Sequence, residues 1–310
     1  MERKKASDFP PEVLQLFDGF VHGRITRRDF LDRAAKYAMG GFTAAAMLEA
    51  LTPNFAWAQQ VKPDDPRIKA GYAHYDSPKG SGRMRGYLAE PNPGTHPGDA
   101  PRGASPKFSP KLGAIVVIHE NRGLNPYIED VARRLATAGY VAFAPDGLTP
   151  AGGYPGDEDK AREIFPKLDP AKMREDLCAA VDYVKLRPDF NGKVAAIGFC
   201  YGGGIANLIA TRFPDLAGAV PYYGIQPPAE QAARIRCPML LHYASEDQRI
   251  NAGWPAFEKV LEEHHVKHQA YIYPNTQHGF HNDTTPRYDE AAAKLSWQRT
   301  LEFFHHNLKT

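Results

Sequence analysis

From residue 112 onward, the hydrophobic residues form short continuous runs that alternate with amphipathic stretches. A continuous apolar run is typical of a strand buried on both faces, and apolar residues three and four positions apart are typical of a helix. The predicted strands are 112–119, 141–145, 193–199, 217–223, 238–244 and 269–273, and the predicted helices are 127–138, 171–186, 202–212, 252–265 and 289–306. This alternation predicts a mostly parallel sheet with helices on both faces.

The segment before this pattern is less regular. Residues 62–110 are rich in proline, glycine and charge, and they contain two strand candidates, 68–76 and 83–90, followed by a loop. Further along, 151–169 holds an irregular glycine-rich piece and a short helix. Asn191 and Gly192 predict a turn before the strand that starts at 193.

The N-terminus has the features of an export signal. Arg27 and Arg28 precede a weakly apolar stretch at 37–48, and residues 56–58 read Ala-Trp-Ala. This order resembles a twin-arginine (Tat) signal, and the apolar stretch is shorter than the ~20 residues that span a bilayer. We therefore expect residues 1–60 to be an extension with a Tat-like signal and the protein to be periplasmic. The alternative is a cytoplasmic protein whose helical extension is retained and packs on the domain.

Composition narrows the class of protein. The 310 residues are 43% hydrophobic and 24% charged, with a formal net charge of +2, which is ordinary for a globular protein. We expect one domain over residues 61–310. The interspersed charges do not call for nucleic acid or a membrane as partner. Cys178, Cys200 and Cys237 are too few and too irregularly spaced for a disulfide framework or a zinc site, and we expect neither metal nor cofactor.

One of these cysteines lies in a motif for nucleophilic catalysis. Gly198-Phe199-Cys200-Tyr201-Gly202 follows a predicted buried strand and opens a predicted helix, which is the context of a nucleophile elbow. Side chains two positions before and after the nucleophile would collide at such a turn, so both positions require glycine. The helix N-terminus favours a thiolate at Cys200, and the N–H of Tyr201 becomes an oxyanion donor. The alternative is a buried cysteine beside a glycine-rich helix start.

Two further residues complete a possible triad. Asp247 follows the strand 238–244 and His278 follows the strand 269–273, so both lie at the strand ends where catalytic side chains gather in such sheets. His278 would exchange the proton with Cys200, and Asp247 would orient its imidazole. Glu246 competes with Asp247 for that role.

These residues belong to a wider set of motifs. Residues 119–123 read His-Glu-Asn-Arg-Gly, Gly139-Tyr140 precedes Ala-Pro-Asp at 144–146, and His278 is followed by Gly-Phe. Together with the Cys200 elbow, they make the chain resemble the dienelactone hydrolase (carboxymethylenebutenolidase) family from about residue 70 to the C-terminus. The resemblance implies the α/β-hydrolase fold and hydrolysis of an ester or lactone.

The resemblance also implies roles for the motif at 119–123. Glu120 would take up the thiol proton when substrate binds, and Asn121 would supply the second backbone oxyanion donor. Arg122 would orient Glu120 or contact substrate; alternatively, the two form a simple ion pair in the loop. The family holds a substrate carboxylate with arginines, but none occurs at 146–150 or 280–283, which argues against dienelactone itself as substrate.

The sequence thus predicts a hydrolase that forms a thioester on Cys200 and acts on a small-molecule ester or lactone. A broader carboxylesterase or thioesterase uses the same residues. A non-catalytic exported binding protein on the same scaffold is the alternative from another class. If the leader is functional, the Tat export machinery is a further partner.

Overall fold

An eight-stranded sheet forms the centre of the computed structural model, which describes residues 4–38, 42–57, 59–92 and 111–308. The strands are β1 (Ile68–Ser77), β2 (Gly82–Pro91), β3 (Leu112–Ile118), β4 (Val141–Pro145), β5 (Phe190–Phe199), β6 (Gly218–Tyr222), β7 (Met239–Ala244) and β8 (His268–Tyr273). The helices are α1 (Pro11–Val21), α2 (Arg27–Ala34), α3 (Ala44–Leu51), α4 (Pro126–Thr137), α5 (Glu158–Ile164), α6 (Pro170–Lys185), α7 (Tyr201–Arg212), α8 (Ala229–Ala232), α9 (Gln248–Asn251), α10 (Trp254–Glu263) and α11 (Glu290–Leu308).

The sheet is mostly parallel, as predicted. Its strand order is β1-β2-β4-β3-β5-β6-β7-β8. β1 and β2 form an antiparallel hairpin that continues antiparallel onto β4, and every other neighbouring pair is parallel. The long connections between the parallel strands contain the helices, as βαβ units require.

The core lies on both faces of this sheet. Ala114, Val116 and Ile118 of β3 belong to a cluster with α6, α7 and α10, whereas Ile115 and Val117 belong to a cluster with α4 and α11. Successive side chains of a strand point to opposite faces, which explains why the whole apolar run is buried. The continuous hydrophobic pattern therefore correctly indicated a central strand covered on both sides.

The predicted turn at Asn191 and Gly192 is wrong. β5 already begins at Phe190, and Gly192 lies within it with a positive φ of 92°. Leu112 pairs with Phe190 and Ala114 with Val194, so the register shifts between them. A β-bulge absorbs the extra residues of β5, and glycine at the positive φ lets the strand continue where a turn was expected.

The N-terminal helices form a third hydrophobic cluster. Phe17, Phe20 and Phe30 of α1 and α2 are buried against one another, with ring centroids 6.2 to 6.5 Å apart. Arg27 and Arg28 lie in the first turn of α2, where both are exposed. Within the described ranges, no helix is long and apolar enough to span a membrane. Residues 39–41 of the predicted apolar stretch and residue 58 of the Ala-Trp-Ala site lie outside the described residues.

Candidate active site

Cys200 stands on a sharp turn between β5 and α7. Its backbone has φ 56° and ψ −112°, a conformation that a non-glycine residue holds only at some cost. A Cβ on Gly198 would lie 1.9 Å from the carbonyl oxygen of Gly202, and one on Gly202 would lie 2.3 Å from that of Ile118. The glycines therefore permit the turn, as the spacing of the motif predicts. Tyr201 is the first residue of α7, so its N–H has no acceptor within the helix.

Asp247 and His278 meet at the ends of the neighbouring strands β7 and β8. His278 Nδ1 forms a short hydrogen bond with Asp247 Oδ2, and both side chains are buried. The other ring nitrogen, Nε2, has no hydrogen-bond partner in the described part of the chain, and a ring nitrogen of His278 lies within 4.8 Å of Cys200 Sγ. Glu246, by contrast, is exposed and accepts a hydrogen bond from Ser245. Asp247 is thus the carboxylate that contacts the imidazole.

Mutual attraction favours the charged forms of these groups. Burial alone would raise the pKa of the Cys200 thiol, but the positive charge of His278 and a hydrogen bond with His22 hold it well below its ordinary value. Burial alone would lower the pKa of His278, but the Cys200 thiolate and Asp247 raise it to about 10. Oppositely charged neighbours stabilise the ionised form of each group. The arrangement therefore favours a thiolate beside an imidazolium, which is a reactive nucleophile with its proton donor in place.

Glu120 lies just beyond β3 and is part of the same cavity as Cys200 and His278. Its Oε2 accepts a 2.8 Å hydrogen bond from Asn282 Nδ2. Burial and the negative charge of Cys200 raise the pKa of Glu120 to about 7. A carboxylate with this proton affinity is able to exchange a proton near neutral pH.

Arg122 does not pair with Glu120, contrary to one of the sequence-based alternatives. Its Nε lies 3.8 Å from Glu158 Oε2, and its Nη2 donates to the carbonyl oxygen of Val21 at 3.0 Å. Asn121 Nδ2 donates to the same oxygen at 2.9 Å. Both side chains of this motif therefore hold the N-terminal segment, and both also line the cavity in front of Cys200.

The N-terminal segment contributes a side chain that the sequence analysis missed. His22 follows α1 directly, and its Nε2 lies 3.6 Å from Cys200 Sγ. Its Nδ1 lies 2.8 Å from the backbone carbonyl oxygen of Asp18 and 3.1 Å from Asp18 Oδ1. Burial alone would lower the pKa of His22, but the contacts with Asp18 and the Cys200 thiolate raise it. The i, i+4 spacing of Asp18 and His22 could have revealed the pair. It could not have revealed that the pair faces residue 200.

The cavity in front of Cys200 has a volume of about 310 Å³. Its walls include the N-terminal segment, the loop after β3, α5 with the residues that follow it, and the start of α7. Val21, His22 and Gly23 form one wall. This volume is at the lower end of the range for small-molecule sites.

Arg287 is a second residue that the sequence analysis missed, because it lies beyond 280–283, the stretch after the histidine motif where the family resemblance implies an arginine. It lines a smaller cavity together with Glu120, Cys200 and His278. Its side chain is buried, yet Nε and Nη1 have no hydrogen-bond partner among the described residues. The guanidinium is therefore available to an anionic group in that cavity.

Three side chains at this site are also of the types that bind metals. The ligand atoms of His22, Cys200 and His278 all lie within 4.8 Å of one another, the one such group within the ranges that the structure describes.

Comparison with known proteins identifies two regions. The model of the dienelactone hydrolase family matches residues 102–308, and a model described as YqhI-like matches residues 1–36. "Putative hydrolase fragment YghX" of Escherichia coli K12 is 53% identical over 128 residues, covering 41% of this chain and 97% of that protein. A "Putative carboxymethylenebutenolidase" of Saccharolobus solfataricus is 32% identical over 233 residues, covering 63% and 89%. The crystal structure of a "Putative Dienelactone Hydrolase" from Klebsiella pneumoniae has a TM-score of 0.63 at 26% identity, covering 77% and 98%.

Proposed function

The chain belongs to the dienelactone hydrolase family and is a hydrolase of ester or lactone bonds, and we propose that it acts through Cys200, His278 and Asp247. The observation that carries this proposal is the buried Asp247–His278 pair, in which a ring nitrogen of His278 lies within 4.8 Å of the Cys200 sulfur. A nucleophile, a base and an orienting group in this order form the minimal set for acyl transfer.

In the proposed reaction, the Cys200 thiolate attacks the carbonyl carbon and its sulfur forms a bond to it. The N–H groups of Tyr201 and Asn121 stabilise the negative oxygen of the tetrahedral intermediate. The carbon–oxygen bond of the ester then breaks, and His278 donates its proton to the departing alkoxide. Water attacks the resulting thioester while His278 accepts one of its protons. The carbon–sulfur bond then breaks and restores the thiolate, and the carboxylic acid product leaves and releases its proton to solvent.

Glu120 supplies a second proton acceptor in this scheme. Its raised pKa, about 7, means that it is partly protonated at neutral pH. It can therefore accept a proton when the thiol form of Cys200 must ionise, and return it to solvent later. Its hydrogen bond from Asn282 keeps the carboxyl group within the cavity that the nucleophile shares.

The substrate proposed here is a small ester or lactone, because the cavity of about 310 Å³ accommodates a compact molecule. A broader carboxylesterase or thioesterase uses the same chemistry, and activity on a panel of esters, lactones and thioesters separates these activities. A binding protein without catalysis would hydrolyse none of them.

Replacement of the nucleophile tests the mechanism. Cys200→Ala should abolish hydrolysis of small aryl esters, whereas Cys178→Ala serves as the matched control because Cys178 is also a buried free thiol but lies in α6. Iodoacetamide should alkylate residue 200 first, as peptide mass spectrometry would show. Unchanged turnover in Cys200→Ala would refute the thioester mechanism, and an inert thiol with no turnover of any ester would favour the binding protein.

For localisation, we propose Tat export to the periplasm, and the alternative is a cytoplasmic protein that retains its N-terminal extension. Residues of the extension line the cavity and hydrogen-bond to the catalytic domain, which supports retention whichever compartment holds the protein. Cell fractionation followed by N-terminal sequencing decides both points. A periplasmic protein that starts after residue 58 would refute retention.

A further inference from the structure

Two aspartate–histidine pairs approach the same sulfur atom from different parts of the chain. One is Asp247–His278 from the catalytic domain, and the other is Asp18–His22 from the N-terminal extension. The rings of His22 and His278 pack edge to face, with centroids 5.0 Å apart and an interplanar angle of 82°. His278 Nδ1 contacts the Asp247 carboxylate. His22 Nδ1 lies 2.8 Å from the Asp18 carbonyl oxygen and 3.1 Å from its Oδ1, and His22 Nε2 lies 3.6 Å from the Cys200 sulfur.

We propose that His22 is a further catalytic residue, whose protonated imidazole donates a hydrogen bond from Nε2 to the Cys200 thiolate. The proposal rests on Cys200 being the nucleophile, as argued above. It assigns the N-terminal extension a chemical part in the reaction: the extension supplies a second cation for the sulfur, while His278 remains the group that transfers protons to the leaving alcohol and from water.

The direction of this hydrogen bond follows from the groups around Nε2. Charged or titratable groups face His22 from four elements: Asp18 on α1, Cys200 at the start of α7, His278 after β8 and Arg249 on α9. The Arg249 guanidinium lies 3.5 Å from Nε2 and has no acceptor atom. A proton on Nε2 therefore has the sulfur as its acceptor. Arg249 could donate a hydrogen bond to Nε2 only if the His22 ring were neutral. The Asp18 carboxylate near Nδ1 favours the protonated, positively charged ring instead.

The position of His22 is defined by contacts of the two residues that precede it. The carbonyl oxygen of Val21 accepts hydrogen bonds from Asn121 and Arg122 at 2.9 and 3.0 Å. The Phe20 ring packs against the Arg162 guanidinium, 4.3 Å from the ring centroid. These contacts anchor the end of α1 to the loop after β3 and to α5 of the catalytic domain. A side chain held in this way needs no reorganisation when the thiolate forms, which is what makes a hydrogen bond effective in catalysis.

The second cation determines at which stage of the reaction the thiol of the nucleophile ionises. With one imidazolium only, the thiolate in a buried site depends on a single counter-charge, and a base such as Glu120 is needed to remove the thiol proton on substrate binding. With His22 also protonated, the thiolate is the resting form before any substrate arrives. We therefore expect loss of His22 to increase the dependence of the reaction on Glu120.

Thiolate titration is the direct test. Ultraviolet absorbance at 240 nm, taken as the difference between each variant and the same variant carrying Cys200→Ser, gives the titration midpoint of Cys200. In His22→Gln this midpoint should rise by about one to three pH units, the effect of one opposite charge in contact. His264→Gln is the matched control, because His264 is exposed at the end of α10 and should leave the midpoint unchanged.

A second variant separates charge from packing. Asp18→Asn keeps the His22 ring but removes the carboxylate that favours its protonated form, so the midpoint should rise in the same direction. Arg24→Gln is its control, since Arg24 is the other partner of Asp18 and lies on the surface. If the midpoint in His22→Gln stays within about 0.3 pH units of wild type, the proposal is overturned. If His22→Gln does not fold, the same result in Asp18→Asn overturns it. Failure of the triad itself would appear differently, as retained hydrolysis in Cys200→Ala.

Discussion

Replacement of Glu120 by glutamine tests whether the carboxyl group of this residue is held protonated by the fold. Glu120 is half-buried in a cavity that it shares with Cys200, and its pKa rises from 4.5 to about 7. When the pKa of a carboxyl group is higher in the native state than in the unfolded chain, its stabilising contribution is fully present at any pH below the unfolded pKa. That stabilisation is lost as the pH rises through the folded pKa. Glutamine is neutral throughout and retains an oxygen to accept the hydrogen bond of Asn282.

The magnitude follows from the two pKa values. Between pH 5 and pH 8.5, ionisation of Glu120 costs the native state about 2.5 kcal/mol more than it costs the unfolded chain. The free energy of unfolding of Glu120→Gln, relative to wild type, should therefore increase by about this amount over the same interval. The sign is specific: relative to wild type, the variant should be more stable at alkaline pH than at acidic pH.

Urea denaturation followed by far-ultraviolet circular dichroism measures this difference at several pH values. Glu262→Gln is a matched control, because Glu262 lies exposed on α10 and should show no comparable dependence. A difference between Glu120→Gln and wild type that does not vary with pH would refute the reasoning. It would mean that Glu120 ionises in the native protein as it does in water.

Two further predictions concern the elbow and the cavity. Gly202→Ala should destabilise the protein by more than about 3 kcal/mol, because the new Cβ would lie 2.3 Å from the Ile118 carbonyl oxygen. Gly71→Ala is the control: its new Cβ has nothing within 4 Å, so the free energy of unfolding should change by less than about 1 kcal/mol. Equal effects of the two substitutions in urea denaturation would contradict this prediction. Nε and Nη1 of Arg287 are buried and lack a hydrogen-bond partner among the described residues, so they are available to a substrate carboxylate. Arg287→Gln should therefore reduce, at least tenfold, the preference in kcat/KM for an ester that bears a carboxylate over its neutral methyl analogue. An unchanged preference would show that Arg287 does not contact substrate.

The predicted strands and helices were largely confirmed because their signals are local. The apolar run at 112–118 predicts a strand covered on both faces, and the amphipathic segments around it predict the covering helices. The exception is instructive. Asn191 and Gly192 have the chemistry of a turn, but β5 already pairs with β3 at Phe190, and a bulge accommodates the residues between there and Val194.

The elbow was likewise accessible from the sequence. The collision that Gly198 and Gly202 avoid involves backbone atoms only a few residues away, in addition to the neighbouring strand. The choice between Asp247 and Glu246 was not accessible in this way. The two are adjacent in the chain, and only the packing of the loops after β7 and β8 determines which carboxylate contacts His278.

By itself, the amino-acid sequence determined the order of strands and helices, the turn that presents Cys200, and the family motifs around it. These follow from backbone sterics and hydrophobic periodicity, which act over a few residues. Only the tertiary structure decided that His22 lies beside Cys200, 178 positions away in the chain, and that Arg287 enters the cavity. The amphipathic pattern of α1 shows that one of its faces is buried, but the surface that covers this face depends on every element already packed. Contacts between such distant residues have no local signature.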